Sequence, residues 1–472
     1  MSSESKTRVV IIGGGISGLA TAYFLLNMAK DAGNKIDLSL LEKENRPGGK
    51  FIARMEQGYT VEGGPNGFLD SKPWTLDLVR SLGMENTLLP SNDSARKRFI
   101  FSRGKLVRLP ESVPSFIKSP LISIPGKARF LGELTARPTP PGADTTVAEF
   151  GRRRLGQEAV DRILDPMVSG IFAGDPDKMS LRASFPRIAE LEEKYGGLFK
   201  ALVALAAERK RAKRRGDVVV SSSGPAGPGG VLTSFKGSIS DLTDRLAAEL
   251  GERVRFTSTA SRITFDNGSY TITASDQTYH ADAVILAVPA YEAAGLLENI
   301  SPKASELIGQ IPYSPMAVVG LGYSESRLGS VPDGFGYLIP GVEERRILGA
   351  LWTSSIFPGQ RAPEGKVLLR VMVGGARDRE TPGLPDDKLM DTVLSELHHT
   401  MGLSAEPEFS TSFRWEKAIP LYTLNHLDRL TEAENSLAEG IFLAGNAYRG
   451  VGINDCVRES EKTALKVLEA LL

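Results

Sequence analysis

Cysteine is almost missing from this chain: Cys456 is the only one in 472 residues, so no internal disulfide forms and no oxidising compartment is required. Histidine is scarce, with four, of which only His398 and His399 are neighbours. That leaves too little for a nitrogen and sulfur metal site, and no metal is expected. Net charge is lacking too, because Lys plus Arg and Asp plus Glu both number 57; no global pull toward nucleic acid follows. No stretch reaches the roughly 20 apolar residues a membrane-spanning helix needs. The opening MSSESKTRVV has no basic region leading into an apolar run. The expectation is a cytoplasmic protein, soluble or lying on a membrane surface, whose hard chemistry is carried by something other than histidine.

Glycine is what the chain has in surplus, with 49 against an average usage of about 7%. Arg8–Ile12 reads as a buried strand, followed by Gly13-Gly14-Gly15-Ile16-Ser17-Gly18, a helical pattern, and a second strand over Ile36–Glu42. Strand, glycine turn, helix, strand and terminal acid together make a dinucleotide fingerprint. Gly13 permits the turn, Gly15 lets backbone approach a pyrophosphate, and Gly18 lets helix pack on strand. Glu42 would hold the ribose hydroxyls, and the helix N-terminus favours the phosphates.

Further glycine pairs decide which dinucleotide. Glu42 is followed by Lys43, Arg46, Gly48-Gly49-Lys50 and then Gly63-Gly64-Pro65-Asn66. This arrangement resembles the extended FAD signature of the amine oxidase and phytoene desaturase superfamily, in which Gly49 and Gly64 pass close to the flavin while Arg46 and Lys50 neutralise phosphate. Near the C-terminus, Ala444-Gly445-Asn446 ends a strand and Val451-Gly452-Ile453 opens a helix, a start suited to flavin carbonyl oxygens. Cys456 reads as a small buried side chain rather than a nucleophile or covalent flavin link, so FAD is expected to be non-covalent.

The motifs GGGISGL, RPGGK, GGPNGFLD, KRFIFSRGKLVRLP, SGIFAGDPDKMSL, SSIFPGQRAPEGK and FLAGNAYRGVGINDC are together similar to the oxygen-dependent protoporphyrinogen oxidases, flavoproteins of haem synthesis, and to bacterial, myxobacterial-type members in particular. The resemblance implies α/β plus α+β architecture: a discontinuous Rossmann-like FAD-binding domain (1–90, 230–300 and 425–472), a mainly helical membrane-binding insertion (91–213), a flexible loop (214–229) and a substrate-binding sheet domain (301–424). Arg253–Ile263 reads as one strand of the first domain. By the same resemblance Arg98 pairs with a propionate, Phe357 and Leu338 sandwich the macrocycle, and the Gly170 carbonyl faces the pyrrole nitrogens. Asn66 and Trp415 contact flavin or the active site, and Ala260 stands where backbone meets adenine.

The implied partners are a porphyrinogen, dioxygen, the inner face of the cytoplasmic membrane and a ferrochelatase receiving the product; a homodimer stays open. Nucleic acid is not expected, since the tract Glu208–Arg215 reads as a solvated helix end. Leu106–Phe130 mixes proline, apolar and basic residues and suits a surface-lying anchor, with an ordinary helical subdomain as the alternative. The implied reaction is oxidation of protoporphyrinogen IX to protoporphyrin IX with hydrogen peroxide as by-product. Coproporphyrinogen III oxidation, another amine-oxidase-like activity and a non-catalytic flavin-binding role are the other readings.

Overall fold

Strands that are apolar at nearly every position need cover on both faces, and such runs build the central sheet. In the computed structural model, which describes residues 7–140, 142–215 and 230–471, Thr7–Ile12, Ile36–Leu41, Ala283–Leu286 and Ile441–Leu443 pair in parallel, with Val254–Arg255 at one edge. Side chains of the first strand alternate between two cores. Val9 and Ile11 pack with Leu19, Leu25 and Val457 of helices Ile16–Asp31 and Ile453–Leu471, while Val10 and Ile12 pack with Tyr270 and Ile272 of a three-stranded antiparallel layer. The Ser460 hydroxyl donates to the Ser17 carbonyl at 3.0 Å and ties the two helices together. The single strand expected over Arg253–Ile263 is two, Val254–Arg255 and Ala260–Asp266, because Thr257 at φ 53° turns the chain from one sheet to the other.

A second sheet has seven strands, in the order Phe409–Pro420, Tyr313–Ser324, Lys366–Gly374, Ile347–Trp352, Gly336–Leu338, Arg98–Ser102 and Lys105–Arg108. Val319, Val371 and Val373 on one face meet Leu389, Val393 and Leu397 of helix Asp386–Met401. Met316, Leu351 and Met372 look the other way, toward a cavity. This sheet moves the start of the mainly helical insertion expected over 91–213: Arg98–Ser102 pairs in parallel with Gly336–Leu338 and belongs to the sheet. A parallel pairing between segments so distant in the chain leaves no local mark in either.

The helical layer follows, including Ile124–Phe130, Val147–Arg154, Asp165–Phe172 and Leu198–Arg215. Its centre holds a fully buried Arg154 between Glu133 at 2.8 Å and Glu192 at 2.6 Å. Of the loop expected at 214–229, the first two residues end helix Leu198–Arg215 and the remainder lies outside the described residues.

Candidate active site

The glycine turn places backbone at one end of a cavity of about 1590 Å³ between the two sheets. Gly13 sits at φ +110°, and a Cβ there would lie 2.6 Å from the Ala287 carbonyl oxygen. At Gly18 a Cβ would lie 1.9 Å from the Gly13 carbonyl oxygen; only glycine lets the helix settle onto the strand. Gly15 differs, since a Cβ there meets nothing within 4 Å. With Ile16 and Ser17 it faces the open cavity at the N-terminus of a 16-residue helix that has no side-chain cap. The Glu42 carboxylate is buried and aimed by two backbone donors, Gly14 N–H at 2.6 Å and Glu44 N–H at 2.8 Å. Gly14 therefore acts through Glu42 and is not itself on the cavity wall.

Lys43 lines this end and pairs with Glu292 at 2.9 Å, a partner that sequence reading missed. Ala260 lines it as well. Arg46, expected to neutralise phosphate, instead spends its guanidinium on the carbonyls of Pro47, Gly49 and Phe51, which shapes the Gly48-Gly49 loop from within. Lys50 donates to the Lys417 carbonyl at 2.9 Å and to that of Ala418, and burial pushes its ammonium down to about 8.

The middle of the cavity is walled by Gly64, Pro65, Asn66, Trp415 and the segment Val451–Ile453. The Trp415 indole N–H donates to the Gly63 carbonyl at 2.8 Å. Both amide atoms of Asn66 are buried with no partner among the described residues, an arrangement that asks for a ligand with a donor and an acceptor. Cys456 lies at the cavity base, and burial pushes its thiol up to about 12, leaving a neutral sulfur. Sequence reading gave no sign of a charged network beneath this loop. Glu62 is wholly buried, 3.5 Å from Arg361 and pushed up to about 7 by burial, while Arg370 donates to the carbonyls of Glu62 and Gly64.

Tyr422 and His426 brace the opposite loop. The Tyr422 hydroxyl donates to the Asn446 carbonyl at 2.5 Å, and His426 Nε2–H donates to the Tyr448 carbonyl at 2.9 Å. Burial pushes the imidazole down to about 4 from its ordinary 6.5. The unfolded chain therefore takes up a proton below about pH 6.5 that the native state refuses, so stability from this site is present above pH 6.5 and falls as pH drops toward 4. At about 1.4 kcal/mol per unit, roughly 2 kcal/mol is lost by pH 5. Urea unfolding at pH 7 and pH 5 should show that loss, and His426→Gln, which keeps the donor, should flatten it.

The far end of the cavity is apolar, walled by Ile100, Met167, Gly170, Ile171, Leu338 and Met372. Arg98 is set among them with its guanidinium 5.2 Å from the Phe335 ring centre and its Nε buried without a partner among the described residues. Gly170 is pressed against Leu338, whose side chain would lie 2.7 Å from an added Cβ. Phe357 is the exception: expected to sandwich a ligand with Leu338, it is fully buried behind the wall, its ring 5.3 Å from the Arg361 guanidinium. The turn after helix Thr353–Ile356 rotates that ring into the core, so Phe357 supports the wall without forming it.

The sequence profile of the family described as flavin containing amine oxidoreductase matches residues 16–468. The chain belongs to this family. It is an oxidoreductase, and its cofactor is FAD. Among its relatives, the Bacillus subtilis coproporphyrinogen III oxidase is 31% identical, with 99% of both chains covered. Protoporphyrinogen oxidase 1 of Arabidopsis thaliana chloroplasts is 34% identical, over 98% of this chain and 88% of that one. A provisionally named protoporphyrinogen oxidase from Exiguobacterium sp. 255-15 superposes with a TM-score of 0.82 at 27% identity, covering 99% and 100% of the two chains. Cyclohexylamine oxidase of Brevibacterium oxydans IH-35A, at 19% identity and TM-score 0.70, shares the fold.

The family's cofactor fits the residues in place. The uncapped helix end with Gly15 suits a pyrophosphate, the aimed Glu42 suits a ribose, and the orphaned Asn66 amide at the middle of the cavity suits a flavin edge. The cavity also exceeds the roughly 300–1,000 Å³ of an ordinary ligand site, so a second ligand has room beside the dinucleotide.

Proposed function

We propose that this enzyme oxidises a porphyrinogen, in the first instance protoporphyrinogen IX, to the porphyrin, with dioxygen as terminal acceptor and hydrogen peroxide released. The observation that carries this is the apolar end chamber with half-buried Arg98 at its edge, which suits a large apolar macrocycle bearing carboxylates. Aromatisation removes six hydrogens, hence three two-electron steps. FAD when bound supplies the hydride acceptor. The protein's own task is orientation. Arg98 offers a forked donor to a propionate, Leu338 and Met372 hold the ring by contact, and Gly170, in the last turn of helix Asp165–Phe172, offers its carbonyl to stabilise positive charge at a pyrrole nitrogen. The relatives' names support the reading from both sides, one acting on protoporphyrinogen and one on coproporphyrinogen III. A fluorescence assay in air with each porphyrinogen, peroxide measured alongside, tests it; a yellow protein that turns over neither overturns it.

Attachment to the inner membrane face belongs to the same reading. No helix among the described residues is long and apolar enough to cross a membrane. The helical layer nevertheless exposes Val113, Ile117, Ile124, Leu131 and Val203, with Ile124 at 82%, an apolar patch of the kind that marks an interaction site. Ile171, exposed in the same layer, also lines the cavity, so a poorly soluble substrate has a route from the patch inward, and its product a route out toward a ferrochelatase. Wild-type protein should co-sediment with phospholipid vesicles, and the double change Ile117→Asp, Ile124→Asp should leave most of it in the supernatant with flavin content unchanged.

A further inference from the structure

Arg370 is a buried cation with no carboxylate in direct contact among the described residues, Glu62 acting on it only from a distance. The other deeply buried arginines are paired, Arg154 with Glu133 and Glu192, and Arg361 with Glu62. Arg370 is only 5% exposed and forms no ion pair among the described residues. Its Nε and Nη2 donate to the backbone carbonyls of Glu62 and Gly64, and the side chain lines the cavity. A buried charge without a contact partner is costly; Glu62 offsets part of that cost for Arg370, which stays protonated near neutrality, burial lowering it only to about 10.

Its position in the sheet is what gives it meaning. Arg370 is the cross-strand partner of Leu351, Leu351 of Gly336, and Gly336 of Arg98. Cross-strand partners share a face, and all four residues line the cavity. The two arginines, neither with an ion pair among the described residues, therefore stand at opposite ends of one transverse row, their backbone positions three strand spacings or roughly 14 Å apart at about 4.8 Å each. The floor between them is apolar and low, made of Leu351 and a glycine.

We infer that Arg370 is a specificity-determining second carboxylate anchor, which lets the chamber accept a porphyrinogen carrying acidic chains on opposite edges of the ring. This rests on the porphyrinogen reading above. Protoporphyrinogen IX has its two propionates on neighbouring pyrroles and reaches Arg98 alone. Coproporphyrinogen III has one on every pyrrole and spans the row.

The test compares wild type with Arg370→Gln, which keeps a donor for the Gly64 carbonyl but loses the charge, and with Arg370→Lys, which keeps the charge. Binding of coproporphyrin III and protoporphyrin IX is followed by fluorescence quenching on FAD-loaded protein, and KM is measured for both porphyrinogens. A lost charge-assisted contact should weaken coproporphyrin III binding about 10- to 100-fold in Arg370→Gln, with protoporphyrin IX within about twofold and partial recovery in Arg370→Lys. Equal losses for both porphyrins, or an unchanged ratio with a shifted flavin absorbance, would overturn the inference, the second by placing Arg370 against the flavin. Wild type that binds and oxidises neither overturns the porphyrinogen reading itself, which is a separate outcome.

Discussion

Gly15→Val should give a folded, soluble and colourless protein whose affinity for FAD is at least about 100-fold below wild type. A Cβ at Gly15 meets nothing within 4 Å, so the substitution costs the apoprotein little. The added side chain projects into the cavity at the helix N-terminus, where backbone N–H groups are to meet the pyrophosphate. Displacing the phosphates from two such charge-assisted contacts, at about 1.5–3 kcal/mol each, removes about 3–6 kcal/mol of binding. The neighbouring glycines fail differently. Gly18→Val drives side-chain atoms into the Gly13 carbonyl and should lose the fold together with the cofactor. Isothermal titration of apoprotein with FAD, with circular dichroism as the control for folding, separates the two cases.

Arg98→Ala should lower kcat/KM for protoporphyrinogen IX by about 100-fold while leaving flavin content and absorbance unchanged. The guanidinium is set against Phe335, its Nε has no partner among the described residues, and burial pulls its pKa below the ordinary value. Such a group does little for the empty protein and a great deal for a bound carboxylate, at about 1.5–3 kcal/mol per charged hydrogen bond. The loss should fall on KM as well as kcat, since a ring held by one edge also sets the geometry of the reacting carbon. Arg98→Lys should recover only part of the activity, because an ammonium lacks the planar fork.

The cofactor half of the site was legible because its demands are local. A strand, a tight turn and a close helix approach need glycine at set spacings, and Gly13, Gly15 and Gly18 stand where those demands fall. The substrate half was legible only through resemblance, and unevenly. Arg98 and Leu338 lie on the cavity wall, but Phe357 lies behind it, since an apolar residue reads the same on either side of a wall. Arg46 shows the same limit for charge: its place on the cavity wall was readable, but the three carbonyls that occupy it were not. Arg370, Arg361 and Glu62 went unnoticed because their meeting depends on sheet register and burial, which no window of sequence contains. The strand Arg98–Ser102 was assigned to the wrong unit for a related reason, as its parallel partner Gly336–Leu338 is remote in the chain.

The most direct test mixes FAD-loaded enzyme with protoporphyrinogen IX, and separately with coproporphyrinogen III, under strict exclusion of oxygen while the flavin absorbance is followed. Expected is rapid bleaching of the flavin band by at least one porphyrinogen, slowed about 100-fold in Arg98→Ala at subsaturating substrate, with colour restored on admitting air. A wild-type protein that carries its full complement of FAD and is bleached by neither would contradict the assignment of this cavity to porphyrinogen oxidation.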